Sequence, residues 1–239
     1  SYAGDATVEN DGNVYTTGNS GSNINVVRLT SAGIILSTWT YDSGQSDAAW
    51  ALSLDTAGNV YAAGQTFNGA NNDFRFVKFT STGGVALTRN YNGGGTDIAW
   101  GAGAAADGTI VVGGTSGSDW RLIKYTSTGA VVWSRSYDSG LLDAMTALAV
   151  DAAGNAYAVG YHDDSGNYDA KTVKFDLSGN VVWASTHATP ASEIPRGVAV
   201  DASGARLLWS GPDGRLTRSV RPPPESGAPR LVATGGDAL

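Results

Sequence analysis

The sequence predicts an all-β protein assembled from tandem four-stranded units. Three observations predict it: a turn motif that returns at a fixed period, two further motifs that keep step with it, and a composition of strand and turn formers. The turn motif reads Asp55-Thr-Ala-Gly58-Asn59-Val60-Tyr61-Ala-Ala-Gly64 and returns as Asp151-Ala-Ala-Gly154-Asn155-Ala156-Tyr157-Ala-Val-Gly160. Looser copies run from Glu9 to Gly18 and from Ala105 to Gly114, and a decayed fifth begins at Asp201. The shared turn glycines, Gly12, Gly58, Gly108, Gly154 and Gly204, are 46, 50, 46 and 50 residues apart.

The second motif is Val27-Arg28-Leu29-Thr30, repeated as Val77-Lys78-Phe79-Thr80, Ile123-Lys124-Tyr125-Thr126 and Val173-Lys174-Phe175-Asp176. The third is an acidic residue before an Ala-rich segment, at Asp47, Asp97, Asp143 and Glu193, again 50, 46 and 50 apart. The 33 glycines and the absence of sustained 3.6-residue periodicity leave little room for helix.

Within one unit the elements follow in order. Ala49 to Leu54 alternates small and large residues as a first strand, Asp55 to Asn59 supplies turn formers, and Val60 to Thr66 returns as a second. After a Gly/Asn loop, Phe74 to Thr80 alternates apolar and charged residues. Ser81 to Gly84 then turns the chain into Val85 to Tyr91. Four sequential antiparallel strands in one period describe a blade of a β-propeller. The chain reads as about five blades, at 5–46, 47–96, 97–142 and 143–192 with a damaged fifth from 193, or as a partial propeller. The 46/50 alternation comes from a longer loop between the second and third strands of blades two and four. Tyr41, Tyr91, Tyr137, Trp133 and Trp183 on fourth strands are expected to fill the wide gaps between blades.

Residues 205–239 hold five of the seven prolines and the run Pro222-Pro223-Pro224. They read as a degenerate fifth blade, with Arg206 to Ser210, Arg215 to Val220 and Arg230 to Thr234 as strands, or as a Pro/Arg-rich irregular tail. The tail is the preferred expectation.

Bulk properties exclude several classes. A net charge of −7 opposes a phosphate backbone, so no nucleic-acid partner is expected. No stretch approaches the roughly 20 apolar residues of a membrane span. The absence of cysteine removes disulfides, thiolate metal sites and cysteine nucleophiles. The chain begins at Ser1 without a basic and then apolar leader, so any export signal is expected to lie outside these residues.

The combination of Asp-x-x-Gly-Asn-x-Tyr-x-x-Gly, Val-Lys-aromatic and Gly94-Gly95-Thr96-Asp97 resembles the bacterial β-propeller repeat family of seven-bladed type, over residues 5 to about 204. Resemblance to NHL-type and quinoprotein-type propellers is more distant, the latter carried by Ile123 to Trp133. The resemblance implies an extracellular or periplasmic protein with binding or scaffolding roles. Blade three departs from the pattern, with Ala105 for the turn Asp and Thr109 for the Asn.

Signatures of chemistry are sparse. Gly101-Ala-Gly103-Ala-Ala-Ala106 matches a dinucleotide fingerprint but falls on a first strand with no helix after it, so no such cofactor is expected. No Gly-x-Ser-x-Gly elbow occurs, and the two histidines, His162 and His187, read as surface residues. Two cation sites, for Ca²⁺ as the possible cofactor, can be named. Asp47, Asp97, Asp143 and Glu193 share one position in successive blades and would ring one end of the channel, although each also suits a turn cap. In the long loop of blade four, Asp163, Ser165, Asn167 and Asp169 place oxygens at alternate positions, a spacing that suits a hard cation. The loop also reads as a plain solvated hairpin, and it lacks the glycine position and bidentate Glu of a helix–loop–helix calcium hand.

Two functions follow. One is a scaffold or ligand-binding module without catalysis, whose partner is a small molecule, a glycan or a protein, with homo-oligomers pairing exposed blade edges. The other is a Ca²⁺-dependent hydrolase of lactones or esters.

Overall fold

A computed structural model describes residues 2–200, 206–210 and 216–220, and they form only strands, turns and connecting segments. Blade one comprises β1 (Tyr2–Val8), β2 (Val14–Ser20), β3 (Asn23–Leu29) and β4 (Ile35–Tyr41). Blade two comprises β5 (Asp47–Leu54), β6 (Val60–Phe67), β7 (Asn72–Phe79) and β8 (Val85–Tyr91). Blade three comprises β9 (Asp97–Ala104), β10 (Ile110–Ser116), β11 (Asp119–Tyr125) and β12 (Val131–Tyr137). Blade four comprises β13 (Asp143–Val150), β14 (Ala156–Asp164), β15 (Asn167–Phe175) and β16 (Val181–His187). A three-stranded remnant, β17 (Val198–Val200), β18 (Arg206–Ser210) and β19 (Leu216–Val220), follows.

Every sheet pairs its strands in sequence order and antiparallel, so each is a meander. Of the two readings of residues 205–239, strands of the degenerate-blade reading stand at 206–210 and 216–220. There Arg206–Ser210 pairs along its backbone with both Val198–Val200 and Leu216–Val220. The proposed strand from Arg230 to Thr234 lies outside the described residues.

The repeated glycines have two separate reasons. Gly58 in the first turn has φ 76° and Gly154 has φ 90°, a region costly for any residue with a Cβ. The motif's last glycine is needed for space instead. A Cβ on Gly64, Gly114 or Gly160 would run into the first-strand backbone at Ala48, Ile98 or Ala144.

Cores form between blades. Tyr15, Ile24, Val26 and Trp39 of blade one pack on Val60, Ala62, Val77 and Phe79 of blade two. Tyr61, Phe74 and Phe76 meet Ile110, Ile123 and Tyr125, and Trp120, Leu122 and Trp133 meet Met145, Val173 and Phe175. Fourth-strand side chains also latch the next blade: a Cβ on Gly179 would strike Trp133, whose Nε1 donates to the carbonyl of Leu177 at 2.8 Å. Inner strands stand side by side, β1 on β5, β5 on β9, β9 on β13 and β13 on β17, around a channel cavity of about 530 Å³.

Candidate functional site

The turn clusters are the most regular feature. Asp55 Oδ1 accepts the amides of Ala57 and Asn59, and its Oδ2 accepts Asn59 Nδ2 and the Tyr61 hydroxyl at 2.8 and 2.7 Å. Lys78 closes the cluster, 3.8 Å from Asp55 and 5.0 Å above the Tyr61 ring. Burial pushes the Asp55 carboxyl up, but these side-chain and backbone bonds together hold it below the ordinary carboxylate value. Burial and the Asp55 carboxylate raise the Tyr61 hydroxyl strongly. Blade four repeats the set with Asp151, Asn155, Tyr157 and Lys174. Such clusters are structural, since each is spent on its own turn.

The acids Asp47, Asp97 and Asp143 open the first strands and are fully buried, whereas Glu193 lies before β17. None of the four lines the channel cavity. Asp47 accepts the Ser43 amide and hydroxyl at 2.9 and 2.6 Å, with Arg75 Nε at 3.5 Å, long for a hydrogen bond but an ion pair. Asp143 accepts the Ser139 amide and hydroxyl, and Glu193 accepts the same two groups of Thr189. Asp97 differs. Its serine counterpart is Gly93, so only the Gly93 amide reaches Oδ2, at 2.6 Å, and Oδ1 is buried without a hydrogen-bond partner. Ser116 Oγ, Asp97 Oδ1 and Tyr91 Oη lie 2.5, 2.8 and 3.2 Å from where a Gly93 side chain would begin, which explains the glycine.

The blade-four loop is a two-residue hairpin with Ser165 and Gly166 at φ 57° and 92°. Asp163 Oδ1 caps Gly166, Ser165 donates to Asp164, and Asn167 Nδ2 bridges Asp169 and the carbonyl of Thr189. Among the described residues no group of three or more His, Cys, Asp or Glu could hold a metal ion. The surface reading of His162 is corrected. It lies on β14 at 8% exposure with Nε2 3.8 Å from Asp169, because strand alternation turns it inward beside Asp143. His187 is part-exposed at the end of β16. The Gly101–Ala106 motif occupies β9 and the following turn, where a Cβ on Gly101 or Gly103 would strike Leu148 or Val150, so its glycines serve blade packing.

The channel mouth holds the residues that motif searching misses. The inner strands of the four complete blades break register, and in blades two to four the extra residue is Trp50 between Ala49 and Ala51, Trp100 between Ala99 and Gly101, and Thr146 between Met145 and Ala147. In blade one the break spans Gly4 and Asp5. Counting three residues on from Asp47, Asp97, Asp143 and Glu193 gives Trp50, Trp100, Thr146 and Arg196, a column in which the repeat fails after the two tryptophans. That count was available in the sequence. All four line the channel cavity. Trp50 and Trp100 are in ring contact, with centroids 5.8 Å apart. Trp100, Thr146 and Arg196 also border a second cavity of about 430 Å³, walled by Ile98, Met145, Tyr161 and Ile194.

No protein-family model matches the chain, and no curated protein matches it in sequence. Solved structures do match. The Dos1 propeller aligns at TM-score 0.64 and 12% identity over 92% of this chain, which spans 57% of that propeller. A gluconolactonase from Xanthomonas campestris aligns at 0.58 and 13%, over 88% of this chain and 69% of its own. A chain of the nidogen/laminin complex aligns at 0.56 and 15%, over 86% and 78%. The protein is a β-propeller of four complete blades and a partial fifth. At these identities the likeness shows the fold alone.

Proposed function

We propose that the protein is a ligand-binding propeller without catalysis of its own, working outside the cytoplasm, and that it holds a small molecule at the channel mouth. One observation carries this reading: the position that lines the axis changes from Trp in blades two and three to Thr146 and then Arg196, so it carries two tryptophans and an arginine instead of one repeated packing residue. A position under packing demand alone would repeat like the turn clusters. Binding sites are concave and mostly apolar, with a few placed polar groups, as is the second cavity that Trp100, Thr146 and Arg196 border. The test is calorimetric titration with a panel of small aromatic and saccharide probes. At least one should bind one-to-one, and Trp100→Phe should weaken it; a panel in which nothing depends on Trp100 ends the proposal.

The Ca²⁺-dependent lactone or ester hydrolase is favoured by the buried, unbonded Oδ1 of Asp97. A cation there would have Asp97, Ser116 and Tyr91 oxygens at hand, and would raise the melting temperature by binding only the native state. That rise should vanish in Asp97→Asn and persist in Asp143→Asn and Asp163→Asn. Equal rises in all three, or EDTA-insensitive turnover, count against this second reading.

A further inference from the structure

The cavity between blades three, four and five carries one charged side chain. Its walls are Ile98, Trp100, Met145, Tyr161 and Ile194, and its charge is Arg196. Arg196 is solvent-exposed and has no ion-pair partner among the described residues, whereas Arg28, Arg75 and Lys78 are all paired with carboxylates. The nearest acid in sequence, Glu193, is held by the amide and hydroxyl of Thr189. The two threonine hydroxyls of the wall are also engaged: Thr115 Oγ1 accepts the Met145 amide at 3.2 Å, and Thr146 donates to the Val159 carbonyl at 3.3 Å. What the cavity offers a ligand is therefore aromatic and aliphatic surface, the Tyr161 hydroxyl and one guanidinium at its rim without an ion-pair partner among the described residues.

That chemistry selects its ligand. A guanidinium fork matches a carboxylate, and charge-assisted bonds of this kind are about twice as strong as neutral ones. A multivalent anion is disfavoured, because a single cation cannot neutralise it and the chain carries a net charge of −7. Trp100 and Tyr161 supply the flat faces that rings stack on. A cavity of about 430 Å³ suits a body of one or two rings.

We infer that the mouth binds a small aromatic carboxylate, with its ring against Trp100 and Tyr161 and its carboxylate on Arg196. This deepens the ligand-binding reading above and rests on it. Phenylacetate and its neutral isostere phenylacetamide are the probes, titrated calorimetrically into the full chain at low salt. Phenylacetate should bind one-to-one and about tenfold more tightly than the amide, and added salt should narrow the gap. Arg196→Gln should bring phenylacetate down to the level of the amide and leave the amide unchanged, and Arg196→Lys should restore part of the difference.

Circular dichroism melting of each variant shows whether it folds; loss of fold in Arg196→Gln would itself contradict an exposed, unpaired side chain. Equal binding of the two probes with dependence on Trp100 overturns the anion inference and leaves the ligand-binding reading standing. A preference for phenylacetate that survives Arg196→Gln also overturns it. Failure of both probes and of every other Trp100-dependent ligand removes both.

Discussion

At the turns every blade with the full motif uses the same residues for the same bonds, while at the channel mouth the side chain changes after Trp50 and Trp100 to a threonine and then an arginine. Asp55 and Asp151 make matching sets of hydrogen bonds to Asn and Tyr, about 96 residues apart by the repeat period. Three residues beyond the strand-opening acids, the side chains are two tryptophans, a threonine and an arginine. Within a tandem repeat each blade is a control for the others. Residues that recur answer a demand every blade shares, which is folding. Residues that diverge at one position, on the one surface all blades share, answer a demand placed on the assembly.

The largest expected effect lies in the repeated part. Phe76 is 2% exposed and sandwiched between Tyr61 and Tyr125, at 5.7 and 5.5 Å with nearly parallel rings. Phe76→Ala should cost about 3–5 kcal/mol by urea unfolding, from lost burial and the cavity left behind. The folded fraction should keep wild-type ligand affinity. A large loss of affinity in the folded protein would break the division between folding residues and mouth residues.

A smaller effect separates one turn from another. Asp55→Asn removes acceptors from buried donors and should cost about 1–3 kcal/mol. Because the folded carboxyl lies below its unfolded value, its contribution is complete above the unfolded pKa and is lost as pH falls through the folded one. Below roughly pH 4 wild type should therefore converge toward the variant. Parallel stability curves down to low pH would show that Asp55 acts only by shape. Blade three supplies the reverse experiment. Ala105 stands where Asp55 does, yet Lys124 is retained there at 5% exposure. Ala105→Asp should give Lys124, whose charge already acts on Asp107, a second carboxylate and add about 0.5–1 kcal/mol, read as a higher urea midpoint with unchanged slope.

The same contrast decides what was legible in the sequence. Strand order and blade number could be read because Asp55-x-x-Gly58 and Val77-Lys78-Phe79 mark turns and alternating faces directly. Two parts of the candidate site resisted. The acids at Asp47, Asp97 and Asp143 share a position, but a linear sequence does not say which way a strand-opening side chain points. They point into the blade interfaces, onto Ser43, the Gly93 amide and Ser139, instead of around the channel. Trp50 and Trp100 were hidden because a bulge adds one residue and shifts strand alternation, so period-two reading assigns the following residues to the wrong face. The burial of His162 is hidden for a related reason: the Asp/Gly/Asn composition after it reads as a loop, whereas β14 continues to Asp164 and turns only at Ser165 and Gly166.

The smallest expected effect on stability is the sharpest test of the comparison. Arg196 is exposed, has no ion-pair partner among the described residues, and lies in the segment before β17, outside every strand. Truncating it leaves no buried donor or acceptor unsatisfied and opens no cavity in the cores between blades. Surface changes of that kind usually stay within about 0.5 kcal/mol. For a chain of this size that is a shift of about 1–2 °C in Tm. Arg196→Gln should therefore melt within that range of wild type by circular dichroism while changing ligand discrimination about tenfold. Asp55→Asn should do the opposite, lowering Tm and leaving discrimination intact. If Arg196→Gln instead costs as much as Asp55→Asn, then Arg196 belongs to the folding machinery, and divergence at the axis ceases to mark a binding site.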